Sequence, residues 1–136
     1  MFELFEHTAD LGLRVRAETL EELLRESARG LLAMLVANPR DVRPVVAKVI
    51  EVRAAEASFL LFDWLNELLY AFETEKLLLV EFDLRLAAGE LRATCRGEPM
   101  DAERHQMEHE VKAITYHGLR VEQNASGWEA ELIVDI

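Results

Sequence analysis

Apolar and polar residues alternate near both ends of the chain and recur at helical spacing between them. Phe2 to Glu6 reads as a short strand. Leu11 to Ala17 reads as a second, because Leu13 and Val15 alternate with Arg14 and Arg16, the period of a half-buried strand. Thr19-Leu20-Glu21-Glu22 has the spacing of a capping box, in which the hydroxyl and the second carboxylate each satisfy a free backbone N–H. The helix it opens places Leu20, Leu23, Leu24, Ala28, Leu31, Leu32 and Leu35 on one face, and Asn38-Pro39 ends it. Val45 to Ala54 is rich in β-formers and reads as a strand broken by Lys48, Glu51 and Arg53. A second helix starts near Ser58 and repeats Leu60, Leu61, Trp64, Leu65, Leu68, Leu69 and Phe72. That spacing makes Trp64 a core residue and leaves Asp63, Asn66, Glu67 and Glu73 on the solvated side.

The chain from Val80 onward is dominated by alternation. Val80, Phe82, Leu84 and Leu86 pair across an Ala88-Gly89 turn with Leu91, Ala93 and Cys95, a β-hairpin. Cys95, on the apolar side, reads as a small buried hydrophobe. Gly97-Glu98-Pro99-Met100-Asp101 breaks the pattern, and residues 101–112 form a polar segment. Val111 to Glu122 reads as one strand with Leu119 and Val121 inward. After the Asn124–Gly127 turn, Trp128, Ala130, Leu132, Val134 and Ile136 form the apolar face of a final strand, with Glu129, Glu131 and Asp135 opposite. The order β-β-α-β-α-β-β-β-β predicts an α+β fold, two helices packed on a largely antiparallel β-sheet in a single compact domain over residues 1–136.

Composition narrows the function classes. With Cys95 alone, no intrachain disulfide is possible, which fits a reducing compartment. No secretory signal and no bilayer-length apolar run is visible, so the expectation is a cytoplasmic protein with no membrane association. The formal net charge is −11, which opposes strong direct binding of nucleic acid. Such a surface suits cations or a basic partner, although negative charge also serves solubility alone.

Nucleotide and serine-hydrolase motifs are missing: there is no phosphate loop, no GxGxxG and no GxSxG. His105 and His109 have i, i+4 spacing, but Gln106 stands where a zinc-protease motif needs Glu, and a solvated polar loop is the better reading. Lys112, Thr115 and His117 are candidates to line a site, while Lys112 equally suits pairing with nearby glutamates. The remaining candidate is Asp10, in the loop His7-Thr8-Ala9-Asp10-Leu11-Gly12, with Asp135. Asp beside Gly can be a turn residue or a cation ligand. Both aspartates fall at strand edges of a small sheet, where they could meet, and the terminal carboxylate of Ile136 would lie beside them. Crowded carboxylates repel, and a hard divalent ion would resolve that. Oxygen ligands favour Ca²⁺, Mg²⁺ or Mn²⁺ over zinc.

Four stretches together resemble the archease family: HTADLG near the N-terminus, LLFDWLNELLY, the run GEPMD…H…VKAITYHGL, and the ending WEAELIVDI. The resemblance covers the chain in order and at full domain length. It implies a small α+β protein that acts without catalysis of its own, as a cofactor of the RtcB-type RNA ligase of tRNA splicing. Its implied task is to promote guanylylation of the ligase and to restore multiple turnover. It also implies a divalent cation, Ca²⁺ ahead of Mg²⁺ or Mn²⁺, held by Asp10, Asp135 and an oxygen of Ile136. The family has been connected as well with a tRNA cytosine methyltransferase, as a chaperone-like modulator. A free-standing metal-dependent hydrolase using Asp10 and Asp135, with His7 as base, is the enzymatic alternative; His7 equally serves to fix the loop. His7, Lys112 and His117 are the candidate partner-facing or site-lining residues, and the sheet end carrying Asp10 is the expected partner surface.

Overall fold

The computed structural model describes residues 1–7 and 10–136; Thr8, Ala9 and the side chain of His7 lie outside the described residues. Strand β1 (Phe2–His7) pairs antiparallel with β2 (Asp10–Ala17). Helix α1 (Leu20–Leu35) follows, with half of the expected capping box: the Thr19 hydroxyl accepts the Glu22 N–H at 3.1 Å, while the Glu22 carboxylate pairs with Arg25 instead. The apolar stripe of α1, including Leu23, Leu24, Ala28, Leu31 and Leu35, is buried. One turn of 3-10 helix at Pro39–Asp41 leads to β3 (Val46–Arg53) and then α2 (Ala57–Glu75). Trp64 of α2 is fully buried and its indole N–H donates to the Leu24 carbonyl at 2.8 Å, which ties the two helices together. Strands β4 (Leu77–Ala87), β5 (Glu90–Pro99), β6 (Ala113–Ile114), β7 (Arg120–Asn124) and β8 (Gly127–Asp135) complete the described elements.

All described strand pairs are antiparallel, and they divide into two sheets. One has the order β1-β2-β8, with β6 and β7 both on the far edge of β8. The other is β3-β5-β4. Helix α1 packs on β2 and β4, and α2 on β3, β4 and β6, so each helix touches both sheets. A single buried cluster of Leu, Val, Ile and aromatic side chains fills the space between them. Burial of that apolar surface is the main stabilising term. No helix among the described residues is long and apolar enough to cross a membrane.

Three local expectations are corrected. Gly97-Glu98-Pro99 is not a break: β5 continues through Pro99, pairing Gly97 with Val46 on one side and Leu79 on the other. The glycine is there because β4 bulges between Leu79 and Glu81, and a Cβ at residue 97 would come within 1.8 Å of the Leu78 carbonyl oxygen. The expected strand Val111–Glu122 is two short strands, β6 and β7, separated by a turn in which Leu119 N–H donates to the Tyr116 carbonyl and Gly118 has φ +68°. Residues 101–112 are irregular, as expected of a polar segment, but they are not a solvated loop throughout, because His105 is 3% exposed.

Candidate functional site

Asp10 opens β2 and Asp135 closes β8, and the register places them directly opposite each other. Leu11, Leu13 and Val15 point into the core, so Asp10 shares the outer face of the sheet with Gly12, Arg14 and Arg16. In the β2–β8 ladder the other charged rows on that face match, whereas across β7–β8 Glu122 stands opposite Glu129. The Arg14 guanidinium lies 3.1 Å from the Glu131 carboxylate and 3.6 Å from Glu3, and Arg16 lies 3.6 Å from Glu129. Only the Asp10–Asp135 row of the β2–β8 ladder opposes like charges. Residues so placed have Cβ atoms about 4.5–5.5 Å apart, and like charges there are destabilising. The next row is Gly12 opposite Ile133. The Phe5 ring covers Gly12, where a Cβ would approach it to 2.1 Å, and the Arg14 guanidinium sits 4.8 Å from the ring centroid.

The far side of β8 brings in the VKAITYHG stretch. Ala113 pairs with Asp135, and the Lys112 N–H donates to the Asp135 carbonyl at 2.8 Å. Lys112 is exposed and pairs with none of the neighbouring glutamates among the described residues. Thr115 donates both its N–H, at 3.2 Å, and its hydroxyl, at 2.9 Å, to the Ile133 carbonyl. The exposed His117 follows, its N–H donating to the Thr115 hydroxyl oxygen at 3.2 Å. The structure therefore gathers Asp10, Asp135, Ile136 and Lys112 at one sheet end, with the His117 turn anchored two residues along β8. The backbone of His7 pairs with Asp10, and the role considered for its side chain lies outside the described residues.

Among the described residues, no three His, Cys, Asp or Glu side chains gather as a metal-ready group. The row brings two carboxylates face to face, with the oxygens of Ile136 next in the chain. That all-oxygen donor set suits a hard divalent ion.

The histidine pair belongs elsewhere. His105 Nδ1 accepts the Asp101 N–H at 2.9 Å, and its Nε2–H faces Glu98 Oε2 at 3.0 Å. Both ring nitrogens are used, so His105 is a structural clasp and not half of a zinc site. Glu98 also accepts the Arg43 N–H at 2.6 Å and the Arg104 guanidinium, with one contact at 3.1 Å. Arg104, together with the Arg43 N–H and His105, overcomes the cost of burial and holds the Glu98 carboxyl down at about 2. Glu98 and Arg104 were not singled out by sequence reasoning; the only signal was a carboxylate inside a Gly/Pro-flanked stretch. From this clasp the chain runs across the end of α1, where the Glu108 and His109 N–H groups donate to the Leu35 and Met34 carbonyls, and on to β6 beside Asp135. Cys95 is buried as expected, and burial pushes its thiol up to about 12.

Comparison with known proteins agrees with this architecture. The family described as "Archease protein family (MTH1598/TM1083)" matches residues 2–136. Proteins named archease in Methanopyrus kandleri and Pyrococcus furiosus are each 38% identical to this chain. The alignments cover 99% of this chain and 99% and 98% of those relatives, respectively. The solution structure of protein 1598 of Methanobacterium thermoautotrophicum superposes with a TM-score of 0.80 at 27% identity, covering 99% of this chain and 98% of that one. The crystal structure of a Thermotoga maritima protein described as "an archease, possible chaperone" shares the fold, with a TM-score of 0.69 at 24% identity over 100% of this chain and 98% of its own. By sequence over its whole length, and by fold, the chain belongs to the archease family.

Proposed function

We propose that this protein is a non-enzymatic activator of an RtcB-type RNA ligase in tRNA splicing, and that it acts through a divalent ion held at the Asp10–Asp135 sheet end. The observation that carries the reading is the like-charged row in a ladder whose other charged rows are complementary. Two carboxylates placed opposite each other repel, and a divalent cation held between them would relieve that repulsion. Asp10, Asp135 and an oxygen of Ile136 would hold the ion, Ca²⁺ in the first instance, with Mg²⁺ and Mn²⁺ as alternatives. When bound, a divalent ion stabilises charge on a transferring phosphoryl group. The protein's own contribution is to present an acidic sheet end: β2 and β8 set the aspartates opposite each other, and the Lys112 N–H donates to the Asp135 carbonyl. With a net charge of −11, that end suits the basic cleft in which a ligase holds nucleotide or RNA.

The test is single-turnover guanylylation of the purified cognate ligase at substoichiometric and stoichiometric doses of this protein. The expected result is acceleration by wild type and its loss with folded Asp10→Ala or Asp135→Ala protein. Stimulation by both variants equal to wild type sinks the ion-based mechanism. The second reading, a chaperone-like modulator of a tRNA cytosine methyltransferase, draws on the description of the Thermotoga maritima structure as a possible chaperone. It needs a docking face and not the ion, so co-purification with that enzyme, unaffected by Asp135→Ala, would favour it.

A further inference from the structure

Helix α2 carries a face that the rest of the described chain does not cover. Phe59 is 45% exposed, Tyr70 is 63% exposed, and Tyr116, from the turn after β6, is 54% exposed. The Tyr116 ring stacks on Phe62 at 3.8 Å and meets the Phe59 ring edge-on at 6.0 Å, so three aromatic rings form one cluster at the junction of α2 and the sheet. Helical spacing puts Phe59, Asp63, Asn66, Glu67 and Tyr70 on one stripe, about 16 Å from the first to the last. The helix has no Lys or Arg between residues 57 and 75. Glu75 pairs with Lys48, but Asp63, Glu67 and Glu73 make no ion pair among the described residues. The surface therefore combines exposed ring faces with carboxylates that make no ion pair among the described residues, beside a groove also lined by Arg53, whose own ion pair is with Glu90.

One chemical group satisfies both features. A guanidinium stacks on Tyr and Phe rings and takes a carboxylate in a bidentate grip. Phosphate chains are repelled by the same carboxylates, so the surface fits a protein and not a nucleic acid. Aromatic rings that are already packed lose little freedom on binding, which is why such groups anchor interfaces. Here the Thr115 bonds to Ile133 hold the turn that presents Tyr116. That turn continues directly from β6, whose Ala113 faces Asp135. A partner seated on α2 thus lies against the strand that flanks the paired aspartates.

We propose that the Phe59–Phe62–Tyr116 cluster and the Asp63/Glu67 stripe of α2 are the docking surface for an arginine-presenting protein surface, namely that of the RNA ligase. This rests on the reading of the protein as a ligase activator. Docking here is separate from the work of the aspartate pair: it sets how tightly the partner is held, and the pair sets what happens once it is held.

The experiment is calorimetric titration of the purified cognate ligase with the full-length protein as wild type, as the Phe59→Ser/Tyr116→Ser double variant, and as Glu67→Lys. The substituted side chains are solvent-exposed, and thermal melts confirm folding before each titration. Each variant is expected to weaken binding by about tenfold or more, as loss of an interface anchor does. The dose giving half-maximal stimulation of guanylylation should rise in parallel, while the plateau at saturation is kept. Wild-type affinity in both variants overturns the docking assignment and leaves the activator reading standing. No ligase binding by wild type overturns both. Binding of a single-stranded RNA oligomer, or self-association by sedimentation, that is lost in the variants while ligase binding persists also overturns it, in favour of RNA or of a second copy.

Discussion

Asp135→Asn removes one charge from an in-register pair without altering the strand, so its effect on stability reads the repulsion directly. In chelator the variant is expected to melt up to about 4 °C above wild type, the scale of one cross-strand charge pair in a domain this size. On addition of Ca²⁺ the wild type should gain stability and the variant should not. Scanning calorimetry checks both halves, and a variant that melts lower in chelator would show that the pair is held apart or otherwise compensated. At Cys95 the expectation is chemical. A thiol pushed up to about 12 and sealed inside β5 presents almost no thiolate, so an aromatic disulfide reagent should label it only when the fold opens. Fast labelling of the native protein would refute that. Gly97→Ala is a third residue-scale test. Its Cβ would meet backbone and not a flexible side chain, so the cost should be about 3 kcal/mol or more by urea unfolding.

Among the elements, the clasp that ties β5 to residues 101–105 gives a pH signature. The Glu98 carboxyl is depressed from 4.5 to about 2, chiefly by Arg104. Its stabilisation is complete above pH 4.5 and is lost as the pH falls through about 2. Wild type and Glu98→Gln should therefore differ most in stability near neutrality and converge between those limits in a pH series of denaturant melts. A constant difference would mean that Glu98 does not titrate with folding. The clasp also shows why the sequence was only partly legible. Alternation at Leu11–Ala17 and Trp128–Ile136 exposed both strands and the outward sense of Asp135, because one face of that sheet is buried and the other carries its charges; Asp10 read only as a loop residue at the strand's start. Glu98 and His105 sit in Gly-, Pro- and charge-rich sequence that resembles solvated loop, and only tertiary hydrogen bonds turn it inward. Thr115-Tyr116-His117 favours strand locally, so the turn between β6 and β7 was invisible. Local periodicity carries no information on which strands pair. The division into two sheets and the Asp10–Asp135 register therefore emerge only from the fold.

For the whole molecule, the net charge of −11 predicts how the protein would meet the proposed ligase. Association with a basic ligase should slow by about tenfold or more from low to high salt, with dissociation changing much less, because steering acts on encounter. Stopped-flow mixing across a salt series checks this, and a flat association rate would argue against an electrostatic approach. The pairing of β2 with β8 has a different consequence, for the order of folding. These strands lie at opposite ends of the sequence, so bringing residue 10 to residue 135 closes nearly the whole chain into one loop, while the β4–β5 hairpin closes over a two-residue turn. Loop closure over so long a span is entropically costly and slow, so the local sheet and its helices are placed to form first and the aspartate row last. An ion spanning that row would be a reversible staple across the largest loop in the molecule. It would have little to bind in a partly folded chain, and its main kinetic effect would be to delay unfolding and leave the rate of folding almost unchanged.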